Sequence, residues 1–192
     1  MENESKTENK NQVARLLEKH GDRVFRTAFM YLKNYQDAED VLQMTFEKYL
    51  ITKPLFKNDE HEKAWFLRVA INISKNLVTS GWKRKVIYDD EQLRLFADEA
   101  VAQDNTGDSD DNSEAVLKAV LALPKNLSVV IQLFYYEEYS VAQIADLLDI
   151  SVGNVTTRLN RARKKLEKSL RDRKSTRLNS SHYQQSRMPS SA

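Results

Sequence analysis

The chain has 192 residues, no cysteine, four glycines and 41% hydrophobic residues, a composition typical of a helix-rich globular protein with one or two small domains. The absence of cysteine excludes disulfide bonds, thiolate metal sites and a cysteine nucleophile. No apolar run approaches the ~20 residues of a membrane helix, and the polar N-terminus does not resemble a signal peptide. We therefore expect a cytoplasmic protein that does not insert into a membrane.

The net charge of +2 conceals three regions of opposite sign. Residues 63–85 contain six basic residues and no acidic one, and residues 89–111 contain nine acidic residues and one arginine. Residues 151–171 contain seven basic residues and one glutamate. Two basic segments around an acidic one favour nucleic-acid binding, although charge alone is equally typical of solvated helix faces.

The spacing of apolar residues predicts three helices in the first part of the chain. Residues 13–32 predict one amphipathic helix, or a pair that is broken near Gly21. Asp37 is the expected N-cap of a second helix, and Pro54 is expected to end it. A third helix is predicted from about residue 60 to residue 79. No segment alternates with a period of two, so we predict no sheet.

Residues 88–112 are acidic and polar and predict a flexible linker. Residues 113–171 predict four helices, with Ser140 and Ser151 as the N-caps of the last two. The predicted fold is all-α, with two small helical domains, residues 10–87 and 113–171, joined by that linker.

The last two predicted helices have the pattern of a helix-turn-helix. Ala145 is a small residue at the point where the two helices are expected to cross. The second helix then carries short polar side chains and arginines, which suit base edges and phosphates in a major groove. Asp149 departs from the usual pattern because it stands where glycine is common in this turn. The alternative is an ordinary helical hairpin with a solvated basic face. The residues expected to form the wedge between the helices are Ile144, Leu148, Ile150 and Val155.

With these motifs in place, residues 10–171 resemble the extracytoplasmic-function (ECF) sigma factors, the promoter-specificity subunits of bacterial RNA polymerase. The resemblance depends on three segments that occur in the family's order: Asp37–Phe46 (DAEDVLQMTF), Ala64–Asn72 (AWFLRVAIN) and Val152–Arg163 (VGNVTTRLNRAR). It implies transcription initiation without a cofactor or a metal. The implied partners are the clamp helices and flap of core RNA polymerase, promoter DNA and an anti-sigma factor.

The resemblance implies that residues 10–87 correspond to sigma region 2. Asp40 and Gln43 match positions that dock on the polymerase clamp, whereas Met44 stands where primary sigma factors often have glutamate. The loop 56–61 matches one that accepts a flipped promoter base, and Trp65 is expected in the core. The residues implied to hold the −10 strand are Asn72, Lys75, Asn76, Trp82, Lys83, Arg84 and Lys85.

The resemblance implies equally that residues 113–171 correspond to sigma region 4, which binds the −35 element. Arg161 is the strongest candidate for base readout, and Arg158 matches a phosphate contact. The acidic linker corresponds to a segment that threads toward the RNA exit channel. The residues implied to bind −35 DNA are Thr156, Thr157, Arg158, Asn160, Arg161, Lys164 and Lys165.

Residues 172–192 have a different texture, rich in serine and without hydrophobic period. Residues 172–182 and 187–192 resemble a translated sequencing adapter, so we expect this tail to be an artefact and to be disordered. Without it the net charge is −1, and the two basic segments surround an acidic tether.

Three other functions compete with a sigma factor. An autonomous helix-turn-helix transcriptional regulator would need a dimer surface or a sensor domain, and it would leave Asp37–Phe46 and Asn72 unexplained. An enzyme is disfavoured because His20 and His61 are the only histidines outside the tail, with no triad or metal spacing. A helical interaction protein without DNA does not account for the two basic segments.

Overall fold

A computed structural model describes residues 2–80 and 111–185, with side chains described for residues 11–80 and 115–172. Within those ranges the chain forms seven α-helices and one π-helical turn, and no strand, so the predicted all-α class is confirmed. The elements are α1 (Glu2–Leu32), α2 (Tyr35–Thr52), α3 (Asp59–Thr79), α4 (Asp111–Leu121), α5 (Lys125–Ile131), the π-helical turn (Gln132–Tyr136), α6 (Val141–Leu148) and α7 (Val152–Gln185).

Helix α1 runs unbroken through Gly21, so of the two alternatives the single helix is correct. A glycine inside a helix costs about 1 kcal/mol relative to alanine. The buried stripe continues on both sides of it through Leu16, Val24 and Ala28, and α1 packs along both α2 and α3. The burial of that stripe outweighs the propensity of one residue.

The prediction that Asp37 caps α2 is wrong by three residues. Asn34 has an extended backbone, and its Oδ1 accepts the backbone N–H of Asp37 at 2.9 Å. Asp37 instead lies in the first turn, where a carboxylate is favourable near the helix dipole. The helix ends at Thr52, two residues before Pro54, as the sequence predicted.

Two lysines in left-handed conformations end the first two helices. Lys33 follows α1 with φ of 56°, and Lys53 caps α2 with φ of 42°. Lys53 is exposed, whereas Lys33 is only 8% exposed. The nearest polar contact of the Lys33 Nζ is the sulfur of Met30 at 3.8 Å, and burial lowers the pKa of Lys33 to about 7.

Aromatic rings form the centre of the first helical unit. Phe66 on α3 is fully buried and its ring lies 4.8 Å from that of His20, 5.1 Å from Phe46 and 5.1 Å from Trp65, between centroids. Trp65 is partly buried against this cluster, as expected. Such ring pairs add to the stabilisation that burial alone provides.

A buried polar contact joins α1 to α3 beside those rings. The Nε2 of His20 lies 2.7 Å from Oε1 of Glu62, and the same carboxylate pairs with Lys19. Burial lowers the pKa of His20 and outweighs the opposing effect of Glu62. His20 is therefore a structural residue of the core.

The second helical unit is assembled around α7. Helices α4, α5 and α6 each pack against it, and Leu133, Ile144, Val155 and Leu159 are buried between them. Four α-helices are present as predicted, although α4 begins at Asp111, two residues earlier than expected. The π-helical turn that follows α5 was not foreseen.

The expected disorder of the tail is wrong for residues 172–185, because α7 continues to Gln185. No glycine or proline interrupts the sequence from residue 154 to residue 188, so nothing in the local chemistry ends the helix. Residues 186–192 and most of the linker 88–112 lie outside the described residues.

The two units also contact each other, α1 through α5 and α3 through α6. None of the helices in the described ranges is long and apolar enough to cross a membrane.

Candidate nucleic-acid interface

The helix-turn-helix begins with a capping box at Ser140. Its hydroxyl accepts the backbone N–H of Gln143 at 3.3 Å, and its own backbone N–H donates to the Gln143 side chain at 2.9 Å. This reciprocal pair satisfies two helix donors and fixes the start of α6. Ser151 caps α7 with a single bond, because its Oγ accepts the N–H of Asn154 at 3.2 Å. Both predicted caps are confirmed.

Asp149 makes the turn between the helices in the left-handed conformation, with φ of 56°. The next residue, Ile150, then donates its backbone N–H to the carbonyl of Ala145 at 3.0 Å, which closes the end of α6. The turn thus has the geometry that glycine usually supplies, at the conformational cost of a β-carbon.

The predicted wedge packs the two helices together. Ile144, Leu148 and Val155 are each at most 4% exposed, and Ala145 lies buried at the crossing. Ile150 is partly buried at the edge of this cluster. The wedge fixes the direction of α7 relative to the rest of the second unit.

Helix α7 presents a polar face opposite its buried one. Val155, Leu159 and Ala162 point into the core, which turns the intervening positions outward. The predicted DNA-binding residues that are exposed on this surface, here called the recognition face, are Thr156, Thr157, Asn160, Arg161, Lys164 and Lys165.

Arg158 differs from the other predicted −35 contacts because it is partly buried. Its Nε donates to Oδ1 of Asn154 at 2.9 Å. It also lines a cavity of about 210 Å³ together with Tyr31 and Lys75 from the first unit. Arg158 therefore faces the other helical unit.

On α3 the predicted −10 residues divide into two groups. Asn72 and Asn76 are exposed. Lys75 is partly buried, and its Nζ donates to the backbone carbonyl of Leu148, at the C-terminus of α6, at 2.7 Å. The remaining predicted −10 residues lie outside the described residues: Trp82, Lys83, Arg84 and Lys85.

The predicted polymerase-docking positions lie on α2. Gln43 is exposed and donates to Glu47 at 2.8 Å, and Asp40 is partly buried. In the loop 56–61, the ring of Phe56 lies 5.9 Å from that of Trp65, so the loop is anchored on the aromatic core. Residues 59–61 of this segment form the first turn of α3, where His61 is exposed and its Nδ1 accepts the N–H of Lys57.

Sequence reasoning missed two basic side chains at the boundary of the two units. Lys63 donates to the carbonyl of Glu137, and Arg68 pairs with Asp146. The basic run 63–85 was visible in the sequence, but no signal there indicated that its partners lie more than 70 residues away.

In the parts of the chain with described side chains, no group of histidine and acidic residues is placed to hold a metal ion. The exposed side chains of α3 and α7 carry amide, hydroxyl, guanidinium and ammonium groups, which form hydrogen bonds and carry positive charge. Those groups suit nucleic acid.

Two family models match the chain. Sigma-70 region 2 matches residues 16–84, and sigma-70 region 4 matches residues 113–166. The two matches correspond to the two helical units.

Relatives of known function match across both units. The ECF RNA polymerase sigma factor SigW of Bacillus subtilis is 27% identical over 169 residues, covering 83% of this chain and 89% of SigW. The ECF RNA polymerase sigma-E factor of Escherichia coli is 26% identical over 138 residues, covering 68% of this chain and 72% of that protein.

A solved structure shares the fold. It is the sigma factor RpoE of Bartonella quintana in complex with the anti-sigma factor NepR, with a TM-score of 0.55 and 20% identity. The likeness covers 85% of this chain and 97% of the other.

Proposed function

The chain belongs to the ECF sigma factors of the sigma-70 family, and we propose that its two helical units divide promoter recognition between duplex and opened DNA. As a sigma factor it directs core RNA polymerase to promoters. What we add is the assignment of each contact to residues of this chain.

The recognition face of α7 reads the −35 element. A major groove about 12 Å wide admits one α-helix, and α7 is held in position by the capped turn and the buried wedge. Arg161 donates to base edges, Thr156 and Asn160 lie beside it on the exposed surface, and Lys164 and Lys165 neutralise phosphates. The observation that carries the proposal is this coincidence of an exposed polar face with a fixed helix axis.

The first unit captures the −10 strand and docks on polymerase. Asn72 and Asn76 are exposed on one helix, where they can donate to unpaired bases, and Lys75 supplies charge for the backbone. The loop 56–61 accepts a flipped base beside the aromatic core. Asp40 and Gln43 on α2 contact the polymerase clamp, and the second unit contacts the flap.

The chain itself performs no covalent step. Its contribution is binding energy directed at double-stranded DNA upstream and single-stranded DNA downstream, while polymerase forms the phosphodiester bonds. This work belongs in the cytoplasm. An anti-sigma factor is the proposed regulator, by analogy with the complex of RpoE with NepR.

Selection of promoter DNA by the reconstituted holoenzyme tests this division. A duplex library randomised in the −35 and −10 segments is enriched on core polymerase loaded with this chain. Enriched fork-junction probes are then titrated with the free chain and with the holoenzyme. We expect tight binding only with polymerase. Substitutions on α7 should change the upstream motif, and those at Asn72 or Asn76 the downstream motif.

Two results would contradict the proposal. Tight, sequence-specific binding by the chain without polymerase would indicate an autonomous transcriptional regulator. Failure to form any complex with core polymerase would remove the basis for the clamp and flap contacts.

A further inference from the structure

An exposed tyrosine of the π-helical turn reaches across to α7. The turn is closed by the bond from the N–H of Glu137 to the carbonyl of Gln132 at 3.1 Å. Tyr135 lies within the turn and is 52% exposed, and its hydroxyl oxygen accepts the Nε–H of Arg163 at 3.0 Å. Turns of this kind are rare and occur frequently at functional sites. Because so exposed a ring contributes little to the core, its contact with Arg163 indicates a role other than stability.

Two aromatic rings restrain the guanidinium of Arg163 without neutralising it. The carbon at its centre lies 5.6 Å from the ring centroid of Phe134 and 5.8 Å from that of Tyr135, within the range of cation–π attraction. The two rings pack edge to face at 5.0 Å between centroids. Among the residues with described side chains, no carboxylate pairs with Arg163. The side chain is therefore held in place while its positive charge remains available.

Most hydrogen-bond donors of this pair are unused. A guanidinium has five N–H groups, and a phenol oxygen can accept one bond while its own O–H donates another. The contact with Tyr135 uses only the Nε–H of Arg163. The N–H groups on both terminal nitrogens and the phenolic O–H have no partner within the described part of the chain. Neighbouring donors around a positive charge suit the oxygens of a phosphate, which accept several hydrogen bonds at once.

Arg163 lies on the same edge of α7 as two residues of the recognition face. It follows Asn160 by three positions and Thr156 by seven, and these spacings place side chains on one side of a helix. Seven positions correspond to about 10 Å along the helix axis. A recognition helix reads bases with its N-terminal residues, in a groove about 12 Å wide. A side chain that far beyond Thr156 has therefore reached the rim of the groove, where the phosphates lie.

We propose that Tyr135 is a positioning residue for binding of the −35 element: it orients Arg163 toward one phosphate of the duplex, to which both side chains donate. The inference rests on the proposed function, since it takes α7 as the helix in the major groove. Neither residue is among the −35 contacts that the sequence predicted. A phosphate contact carries no base information but fixes the register of a protein on the duplex. The pair, here called the phosphate clamp, therefore sets how Arg161 meets its base pair.

A double-mutant cycle tests the positioning. Holoenzyme assembled from core polymerase and the full chain is titrated on an enriched fork-junction promoter at several salt concentrations. Tyr135→Phe keeps the ring and removes only the hydroxyl, so we expect binding to weaken about fivefold, as for the loss of one hydrogen bond, and by the same factor on cognate and mutated −35 sequences. Arg163→Ala should also lower the salt-dependence slope by about 1. In the Arg163→Ala background, Tyr135→Phe should cost much less than it does alone.

Matched variants separate the phosphate clamp from other roles. Tyr136→Phe makes the same change at a neighbouring residue of the same exposure and should leave promoter binding unchanged. Arg163→Lys keeps the charge but lacks the planar fork that bonds Tyr135 and a phosphate together. It should keep the salt slope and become insensitive to Tyr135→Phe. The affinity of Tyr135→Phe for core polymerase without DNA should equal that of the wild type, as should its thermal unfolding midpoint.

A scan of the DNA backbone locates the contact. Neutral methylphosphonate linkages are introduced one at a time along the −35 duplex, each removing the charge of one phosphate. We expect one position to weaken binding by wild-type holoenzyme about tenfold, as for a hydrogen bond to a charged group. The same substitution should leave binding by the Arg163→Ala holoenzyme unchanged.

Additive effects of Tyr135→Phe and Arg163→Ala would overturn the positioning role. So would a loss of affinity for core polymerase in Tyr135→Phe, which would make the tyrosine a polymerase contact. A scan in which no linkage distinguishes the wild-type from the Arg163→Ala holoenzyme would overturn the phosphate clamp. Failure of the wild-type holoenzyme to bind any enriched promoter would instead count against the proposed function.

Discussion

The two basic surfaces of this protein have similar side chains but opposite surroundings. On α7 the recognition face is exposed, and its arginine and lysines project from a helix fixed by a buried wedge. On α3 the described cations each bind an oxygen of the other helical unit. A basic run in a sequence gives the number of cations. It does not reveal which of them are available to DNA.

The largest expected effect concerns the core beneath α3. Phe66→Ala removes a fully buried ring that lies against five other aromatic residues, so we expect a loss of about 3–5 kcal/mol of unfolding free energy. Urea unfolding measures it. Leu17→Ala, at a position 45% exposed, should cost far less. Equal losses of unfolding free energy for the two variants would mean that the aromatic cluster is not the main source of stability in the first unit.

Lys33 is the most deeply buried lysine among the described residues of the first unit. Between its lowered folded pKa of about 7 and the ordinary value of 10.5, the unfolded chain binds a proton that the folded chain does not. The unfolding free energy should therefore rise with pH across this window, by up to about 1.4 kcal/mol per pH unit. Lys33→Met should remove this slope between pH 7 and 9.

The control for that slope is Lys53→Met, which alters a lysine in the same backbone conformation on the surface. It should leave the pH dependence of stability unchanged. If the unfolding free energy of Lys33→Met still rises with pH, another group must bind the proton.

Arg161→Ala tests the exposed recognition face of α7. We expect a loss of about 1–3 kcal/mol in binding to the cognate −35 site, with relaxed preference at the contacted base pair. Binding is measured by anisotropy on cognate and mutated duplexes, and Arg171→Ala, farther along α7, is the control. An equal loss of affinity on every sequence would show that Arg161 contacts only phosphate.

Lys75→Ala tests the basic surface of α3, where the cations bind oxygens of the second unit. Loss of one phosphate contact should weaken strand capture on all sequences alike and lower the salt-dependence slope by about 1. Holoenzyme binding to a fork-junction probe is titrated at several salt concentrations. Binding to a −35 duplex should not weaken. A sequence-dependent loss would instead indicate that Lys75 reads a base.

The smallest expected effect is at the turn before α7. Asp149→Gly relieves a left-handed conformation in a residue with a β-carbon, and we expect a gain of up to about 1 kcal/mol in thermal unfolding experiments. Asp149→Ala keeps the β-carbon and should give no gain. A loss with glycine would show that the aspartate side chain stabilises the turn.

Local signals predicted the second unit better than the first. The caps at Ser140 and Ser151 and the wedge were all found, because each depends on residues a few positions apart. Asn34 and Asp37 are both good capping residues, and the sequence alone favoured Asp37. The left-handed backbone of Lys33 and the extended backbone of Asn34 place the start of α2 after Asn34. The continuation of α7 to Gln185 was missed because the serine-rich composition and the resemblance to an adapter sequence predicted disorder from residue 172.

The sequence by itself determined the all-α class, the helix-turn-helix and the family, because helical periodicity, capping and motif order are properties of neighbouring residues. Only the tertiary structure decided which cations remain free. The partners of Lys63, Arg68 and Lys75 lie 73 to 78 residues farther along the chain. Contacts at such a separation depend on how whole helices pack, and no local pattern encodes them.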